Sequence, residues 1–204
     1  MSFQWIIDNA ESISIERKRV VASTTSRSGV VRAVSRGGQA WKFDVKVPDG
    51  LRWTDIRPSI SAAENLDRVT AANIQIPNSG LEYITKYQGN SANSTGFNAS
   101  FTKNNTTLTL TSSPTTSSGY KFRAGDFIQL GSGGKVYTVA ADVAYNSNTV
   151  TLHRPILDAT NTVTLLVGNN VTWNVICTQF PTWTIGGYNQ VFWNGTFTFS
   201  EVLV

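Results

Sequence analysis

Apolar residues recur along most of this chain with a period of two, the pattern of strands that bury one face. Residues 41–47 show it most cleanly: Trp41, Phe43, Val45 and Val47 alternate with Lys42, Asp44 and Lys46, which predicts a half-buried strand. Pro48-Asp49-Gly50 ends it with turn chemistry. Upstream, Ile13, Ile15 and Val20-Val21 flank a basic turn, and Val30-Val31 and Val34 lead to Gly37-Gly38. Between 54 and 66 the period changes. Ile56, Ile60, Ala63 and Leu66 recur at helical spacing, Pro58 suits a first turn and Ala62-Ala63-Glu64 favours helix. This is the only helix the pattern predicts. Residues 69–76 read as extended and Pro77-Asn78-Ser79-Gly80 as a turn.

From 89 to 105, and again from 111 to 119, Gly, Asn, Ser and Thr dominate, as in loops or a domain junction. Short strand candidates follow at 106–110, 127–130, 136–139, 150–152 and 163–167, separated by turn residues, as in a small β-barrel or sandwich. Residues 171–180 and 190–204 read as two long aromatic-rich strands, with Trp173, Val175 and Cys177 on one parity and Phe192, Phe197 and Phe199 later. The N-terminal set has too few strands to close a sheet, and the last strands lack neighbours of their own. Pairing the two ends resolves both shortages, because an unpaired apolar edge invites aggregation. The expected organisation is therefore one discontinuous β-domain, 1–88 with 169–204, carrying a small inserted β-barrel at 89–168.

Composition narrows the chemistry. With 204 residues, 40% hydrophobic and only 15% charged, the chain has enough apolar surface to fold and is neither disordered nor a long coiled coil. A single Cys177 excludes a disulfide framework or multi-cysteine metal site within the chain, and a single His153 excludes motifs needing two imidazoles. The net charge of +4 is unevenly placed: the first 57 residues hold ten Lys and Arg against six Asp and Glu, and the remainder is balanced. Arg17, Lys18, Arg19, Arg27, Arg32 and Arg36 face only Glu16 between positions 17 and 36 and its immediate flank. Such a segment suits a polyanion or an acidic protein surface, and equally a solvated strand face. The opening residues show no basic leader followed by an apolar run, so no secretory signal is expected. No stretch approaches the length of a membrane span, and a soluble protein made in a cytoplasm is the expectation.

Candidate catalytic chemistry is thin. Gly131-Ser132-Gly133-Gly134-Lys135 lacks the first glycine and the final hydroxyl of a phosphate loop, Gln129 and Val136 standing there instead. A hairpin loop is the better reading. His153 has no nearby Ser, Cys or carboxylate in a recognisable nucleophile setting, and Cys177 alternates with apolar neighbours, so both read as structural. The carboxylates Asp126, Asp142, Asp158 and Glu201 are candidates for a glycosidase-like pair that sequence cannot position. Trp183, Tyr188, Phe192 and Trp193 suit either core packing, a subunit interface or a sugar-binding platform.

Several segments together resemble a known family. They are Ser26-Arg27-Ser28-Gly29-Val30-Val31-Arg32, Gly37-Gly38-Gln39-Ala40-Trp41-Lys42-Phe43, Ala124-Gly125-Asp126-Phe127-Ile128-Gln129-Leu130, Lys135-Val136-Tyr137-Thr138-Val139, Leu152-His153-Arg154-Pro155 and the C-terminal Phe192-Trp193-Asn194-Gly195-Thr196-Phe197 with Phe199-Ser200-Glu201-Val202-Leu203. In texture they are similar to the distal tail or baseplate-ring proteins of tailed bacteriophages. The resemblance implies a mainly β fold: a split β-barrel, akin to the tail tube, with an inserted small barrel of oligonucleotide/oligosaccharide-binding (OB) type. It implies a non-enzymatic virion component without cofactor, assembled in the host cytoplasm as a hexameric ring at the junction of tail tube and baseplate. The implied partners are further copies of the chain, tail-tube and baseplate hub proteins, receptor-binding or sheath components, and DNA only in transit, with no membrane. Under it Arg17, Lys18, Arg19, Arg27, Arg32 and Arg36 serve the subunit interface or the lumen. The alternative is a carbohydrate-binding β-domain for host-surface attachment, with Trp183, Tyr188 and Trp193 as the platform; an OB-like insert does not by itself imply sugar binding.

Overall fold

The computed structural model describes residues 3–17, 21–29, 31–35, 39–66, 69–76 and 80–203. The chain is mainly β with one main helix, and among the described residues no sheet closes into a barrel. No helix among them is long and apolar enough to cross a membrane. Two compact units are present, Met1–Asn9 with Ala72–Asn174, and Ala10–Ala71 with Val175–Val204. Residues 72–88 thus group with the middle of the chain. The residues Val20, Val30 and Gly37-Gly38, and the turn expected from Pro77, lie outside the described residues except for Gly80.

In the second unit, strands from both ends of the chain share one antiparallel sheet. Ser12–Arg17, Trp41–Lys46, Phe197–Glu201 and Trp173–Gln179 lie side by side in that order. The alternation in 41–47 buries Trp41, Phe43 and Val45 and leaves Lys42 and Asp44 half-buried. Register then aligns Ile15, Phe43, Phe199 and Cys177 as one row across four strands. Cys177 is buried in that row beside Phe199, and its thiol donates to the Gln179 carbonyl at 3.3 Å. It acts there as a small apolar side chain. On the opposite face Lys42 pairs with Asp44 at 2.7 Å and Thr198 Oγ1 donates to the same carboxylate at 2.6 Å.

The helix spans Trp53–Glu64 and buries Ile56, Ile60 and Ala63, three of the four positions predicted. It starts one residue before the expected segment, and Pro58 sits inside it instead of in the first turn. The ring removes the hydrogen bond that residue 58 would give to the Thr54 carbonyl. The helix stops before Leu66. A second, five-residue helix, Gln4–Asp8, was not predicted; it buries Ile6 and Ile7. Residues 190–204 form two strands, Gln190–Asn194 and Phe197–Glu201, instead of one. The break falls at Gly195, whose φ of 114° lies outside the range other residues favour.

The first unit surrounds an apolar cluster that runs in sequence from Phe97 to Val167. Its largest sheet orders Thr149–Thr151, Thr107–Ser112, Asn98–Phe101 and Asn161–Thr164. Phe127–Gln129 pairs with both Val136–Thr138 and Leu166–Val167, and Tyr120–Phe122 with Val143–Ala144. Phe97 and Phe122 pack with ring centroids 4.6 Å apart at its centre. Buried polar groups tie the loops to this core. Asp126 accepts the Gln88 and Arg123 backbone N–H groups at 2.9 and 2.8 Å. Tyr137 donates to Asp158 at 2.7 Å and accepts the Leu157 N–H at 2.8 Å.

Burial raises the pKa of Asp126, and its two backbone donors only partly offset this. A raised folded value means the group's favourable contribution is complete below its unfolded pKa and is lost as pH rises through the folded one. Asp126→Asn removes one acceptor from the Gln88 and Arg123 N–H groups at a buried side chain and is expected to cost about 1–3 kcal/mol near neutral pH. The gap to the parent chain should widen as pH falls toward the carboxylate range, because only the parent gains from protonation. Thermal midpoints of both chains across that range test the sign.

Candidate functional site

Among the basic residues singled out by sequence, Arg27 and Arg32 belong to one β-ribbon. Its strands are Val21–Thr25 and Val31–Ser35, paired antiparallel from Val21 opposite Ser35 to Thr25 opposite Val31. Arg27 is exposed in the connecting turn, where the Gly29 N–H donates to the Ser26 carbonyl at 2.9 Å. No third strand pairs with the ribbon among the described residues. Arg17 lies instead at the end of the strand Ser12–Arg17, opposite Trp41 in register, with its guanidinium 5.6 Å from that ring's centroid. Lys18, Arg19 and Arg36 lie outside the described residues.

The aromatic candidates lie on the hairpin of Thr182–Ile185 and Gln190–Asn194. Trp183 and Trp193 are cross-strand partners. Both are half-buried: Trp183 stacks on Trp53 at 4.7 Å, and Trp193 packs edge-on against Phe197 at 5.1 Å. Tyr188, at the tip, is 97% exposed, with Ile185 and Phe192 also exposed. The hairpin is braced by Asp49, which accepts the Trp193 N–H at 2.7 Å, and by Asn189 donating to Thr54 Oγ1 at 3.0 Å. The exposed apolar residues of the hairpin are therefore Ile185, Tyr188 and Phe192. A cleft of about 440 Å³ beside this hairpin is lined by Ala63, Glu64, Cys177, Phe180 and Trp183 among others.

The carboxylates and His153 each hold local structure. Asp142 accepts the Ala124 N–H at 2.8 Å and pairs with Arg123 at 2.9 Å; these two contacts, the backbone one first, lower its pKa. Asp158 accepts from Tyr137 and from the Lys135 N–H. Glu201 is buried and accepts the Trp41 N–H at 3.1 Å. His153 Nδ1 accepts the Thr138 N–H at 2.9 Å, while the His153 N–H donates to the Thr138 carbonyl at 3.0 Å. Arg154, also buried, donates to the Val136 carbonyl at 2.9 Å with its guanidinium 5.0 Å from the Tyr137 ring centroid. Among the described residues no group of three or more His, Cys, Asp or Glu side chains is placed to hold a metal ion.

The glycine-rich segment at 131–135 links Phe127–Gln129 to Val136–Thr138, with Gln129 opposite Val136, so it is a hairpin loop. A Cβ on Gly134 would lie 2.2 Å from the Leu130 carbonyl oxygen. Gly134→Ala is expected to lower stability by about 1–3 kcal/mol, the usual cost of forcing atoms into filled space; denaturant unfolding measures it.

Sequence inspection missed one polar cleft of about 560 Å³ in the first unit, lined by Glu82, Lys86, Tyr87, Asn93 and Asn169 with Ser91. These residues come from segments roughly eighty positions apart and form no motif. No protein-family model matches the chain, and no curated protein matches it.

Proposed function

We propose that this chain is a structural subunit of a bacteriophage tail that assembles with copies of itself into a ring, in the hexameric form the sequence resemblance implies, joining tail tube and baseplate. In this reading 1–88 with 169–204 build the ring through a split, tube-like β-barrel, and 89–168 form an OB-like insert that reaches other tail proteins. The apolar cluster from Phe97 to Val167 supports a separately packed insert.

The observation that carries the reading is the basic β-ribbon. A two-stranded hairpin alone is marginal in water, so a ribbon with no third strand among the described residues gains stability by packing on a partner. Arginine suits bidentate pairing with a neighbour's carboxylates. Heterologous contact between ribbon and neighbour, repeated by a fixed rotation, closes a ring. The exposed Ile185, Tyr188 and Phe192 add an apolar patch of the kind found at interface centres. Passing DNA would be held back by a basic lumen, which favours protein contacts for most of the arginines.

Light scattering across concentration and salt, followed by electron microscopy, tests the assembly. The expected species has about six times the 22.2 kDa subunit mass and is ring-shaped. A chain that stays monomeric throughout and binds glycans through Tyr188 would favour the carbohydrate-binding reading instead.

A further inference from the structure

We infer that the tip of the 182–194 hairpin on one copy of the chain seats its Tyr188 ring in the cleft lined by Ala63, Phe180 and Trp183 on the next copy, with Arg52 meeting Glu64 across the contact. The inference rests on the proposed association of identical chains and adds which two surfaces meet. Both surfaces lie within the second unit.

Tyr188 is presented at a conformational cost. Its backbone is left-handed, with φ 59° and ψ 29°, a region that bulky residues rarely adopt, and Asn189 follows at φ 62°. The turn is nevertheless held firmly. The Gly186 N–H donates to the Gln190 carbonyl at 2.8 Å, and the Asn189 amide donates to Thr54 Oγ1 at 3.0 Å. An unfavourable backbone is thus maintained to hold an aromatic ring in water, where burial contributes nothing. Such strain is typical of residues that gain on contact, and tyrosine is enriched among the residues that dominate interfaces.

The cleft fits that ring. Ala63, Phe180, Pro181 and Trp183 give it apolar walls, and Glu64 adds a carboxylate. Two of the walls are fixed in place: Phe180 packs edge-on against Phe197 at 4.8 Å and Trp183 stacks on Trp53 at 4.7 Å. An apolar cavity of about 150 Å³ takes benzene, so a cleft of about 440 Å³ accepts a phenol ring with space to spare. Pre-formed walls lose little freedom when it enters.

Charge complementarity makes a second copy the occupant. Arg52 lies opposite Gln190, two residues from Tyr188, and is exposed. Glu64, at the cleft, is exposed too. Neither forms an ion pair among the described residues. Arg52 immediately precedes the helix Trp53–Glu64 and Glu64 ends it, so about 18 Å of helix at 1.5 Å per residue separates them. They cannot pair within one chain. A tip carrying an apolar ring and a cation therefore matches a cleft with apolar walls and a carboxylate on another copy. Because tip and cleft are different surfaces, the contact is heterologous and can repeat around a ring.

Photo-crosslinking from Tyr188→p-benzoylphenylalanine, with half of the chains ¹⁵N-labelled so that links between copies are recognised by mass spectrometry, tests the contact; light scattering on the same sample gives the stoichiometry. The expected link runs from position 188 of one copy to residues 63–64 or 180–183 of another. Tyr188→Ala should weaken association by about thirtyfold, the loss of one dominant aromatic side chain, and Tyr188→Phe much less. Arg52→Glu and Glu64→Arg should each weaken it by about tenfold or more. Mixed in equal amounts, these two variants should recover the parent association, since every tip then finds a cleft of opposite charge. All four positions changed are exposed or solvent-facing in the single chain, and thermal midpoints at dilution should not move. A ring in which position 188 links elsewhere, or in which mixing gives no recovery, overturns this inference and leaves the ring standing. A two-copy particle linked from 188 to the cleft upholds the contact and overturns the ring. A chain that gives no link between copies at any concentration overturns the inference.

Discussion

An Arg27→Glu, Arg32→Glu double variant is expected to scatter as a single subunit under conditions where the parent chain forms the proposed ring. Arg27 is exposed in the turn of the ribbon, and position 32 lies on its second strand opposite Thr24. Reversing both charges turns attraction toward a neighbour's carboxylates into repulsion. Opposed like charges at an interface cost several kcal/mol, and breaking a buried charge pair roughly 2–5 kcal/mol. The penalty recurs at every interface of the ring, so even the low end abolishes closure at micromolar concentration. The parent assembly should weaken as salt rises, because exposed pairs are screened within about 10 Å at 0.1 M. Lys103→Glu is the control. That residue is exposed and lies in the first unit, so its reversal alters net charge without touching the ribbon. An intact ring from the double variant would remove these arginines from the interface, and equal loss from Lys103→Glu would assign the effect to net charge.

How much of this was legible beforehand depended on how loudly each segment patterned. The alternation from Trp41 to Val45 and the helical spacing of Ile56, Ile60 and Ala63 each buried the face they predicted. The strand Asn98–Phe101 did not stand out, because its buried Ala99 and Phe101 sit among Asn, Ser and Gly that signal loop. Gln4–Asp8 was too short for helical spacing to register. The break at Gly195 was visible only as one glycine among many. Site residues were harder still. Glu82, Asn93 and Asn169 meet only through tertiary structure, and single Glu and Asn residues in polar loops carry no periodic signal. Trp183 and Trp193 were legible as aromatic, but which of their faces stayed open was decided by Trp53 and Phe197.

Phe97→Ala should produce the largest loss of stability of any single substitution considered for the first unit. The ring is fully buried, 4.6 Å from Phe122 and 6.1 Å from Tyr87 between centroids. Its backbone is also committed, since the Phe97 carbonyl accepts the Leu165 N–H at 2.8 Å. The surrounding strands therefore have little freedom to collapse into the space a smaller side chain leaves. Buried Phe→Ala changes cost about 3–5 kcal/mol, transfer and cavity contributions together. Against a typical total of about 5–15 kcal/mol this lowers Tm on the order of 15 °C. Phe97→Leu keeps most of the volume and should cost less than about 1.5 kcal/mol. Tyr188→Ala, at a side chain almost wholly in solvent, should leave Tm within the error of the measurement. Calorimetry on the three variants checks the ranking. A Phe97→Ala loss no larger than that of Phe97→Leu would mean that the cluster closes over the missing ring, and that the aromatic centre of this unit is not what holds its three small sheets together.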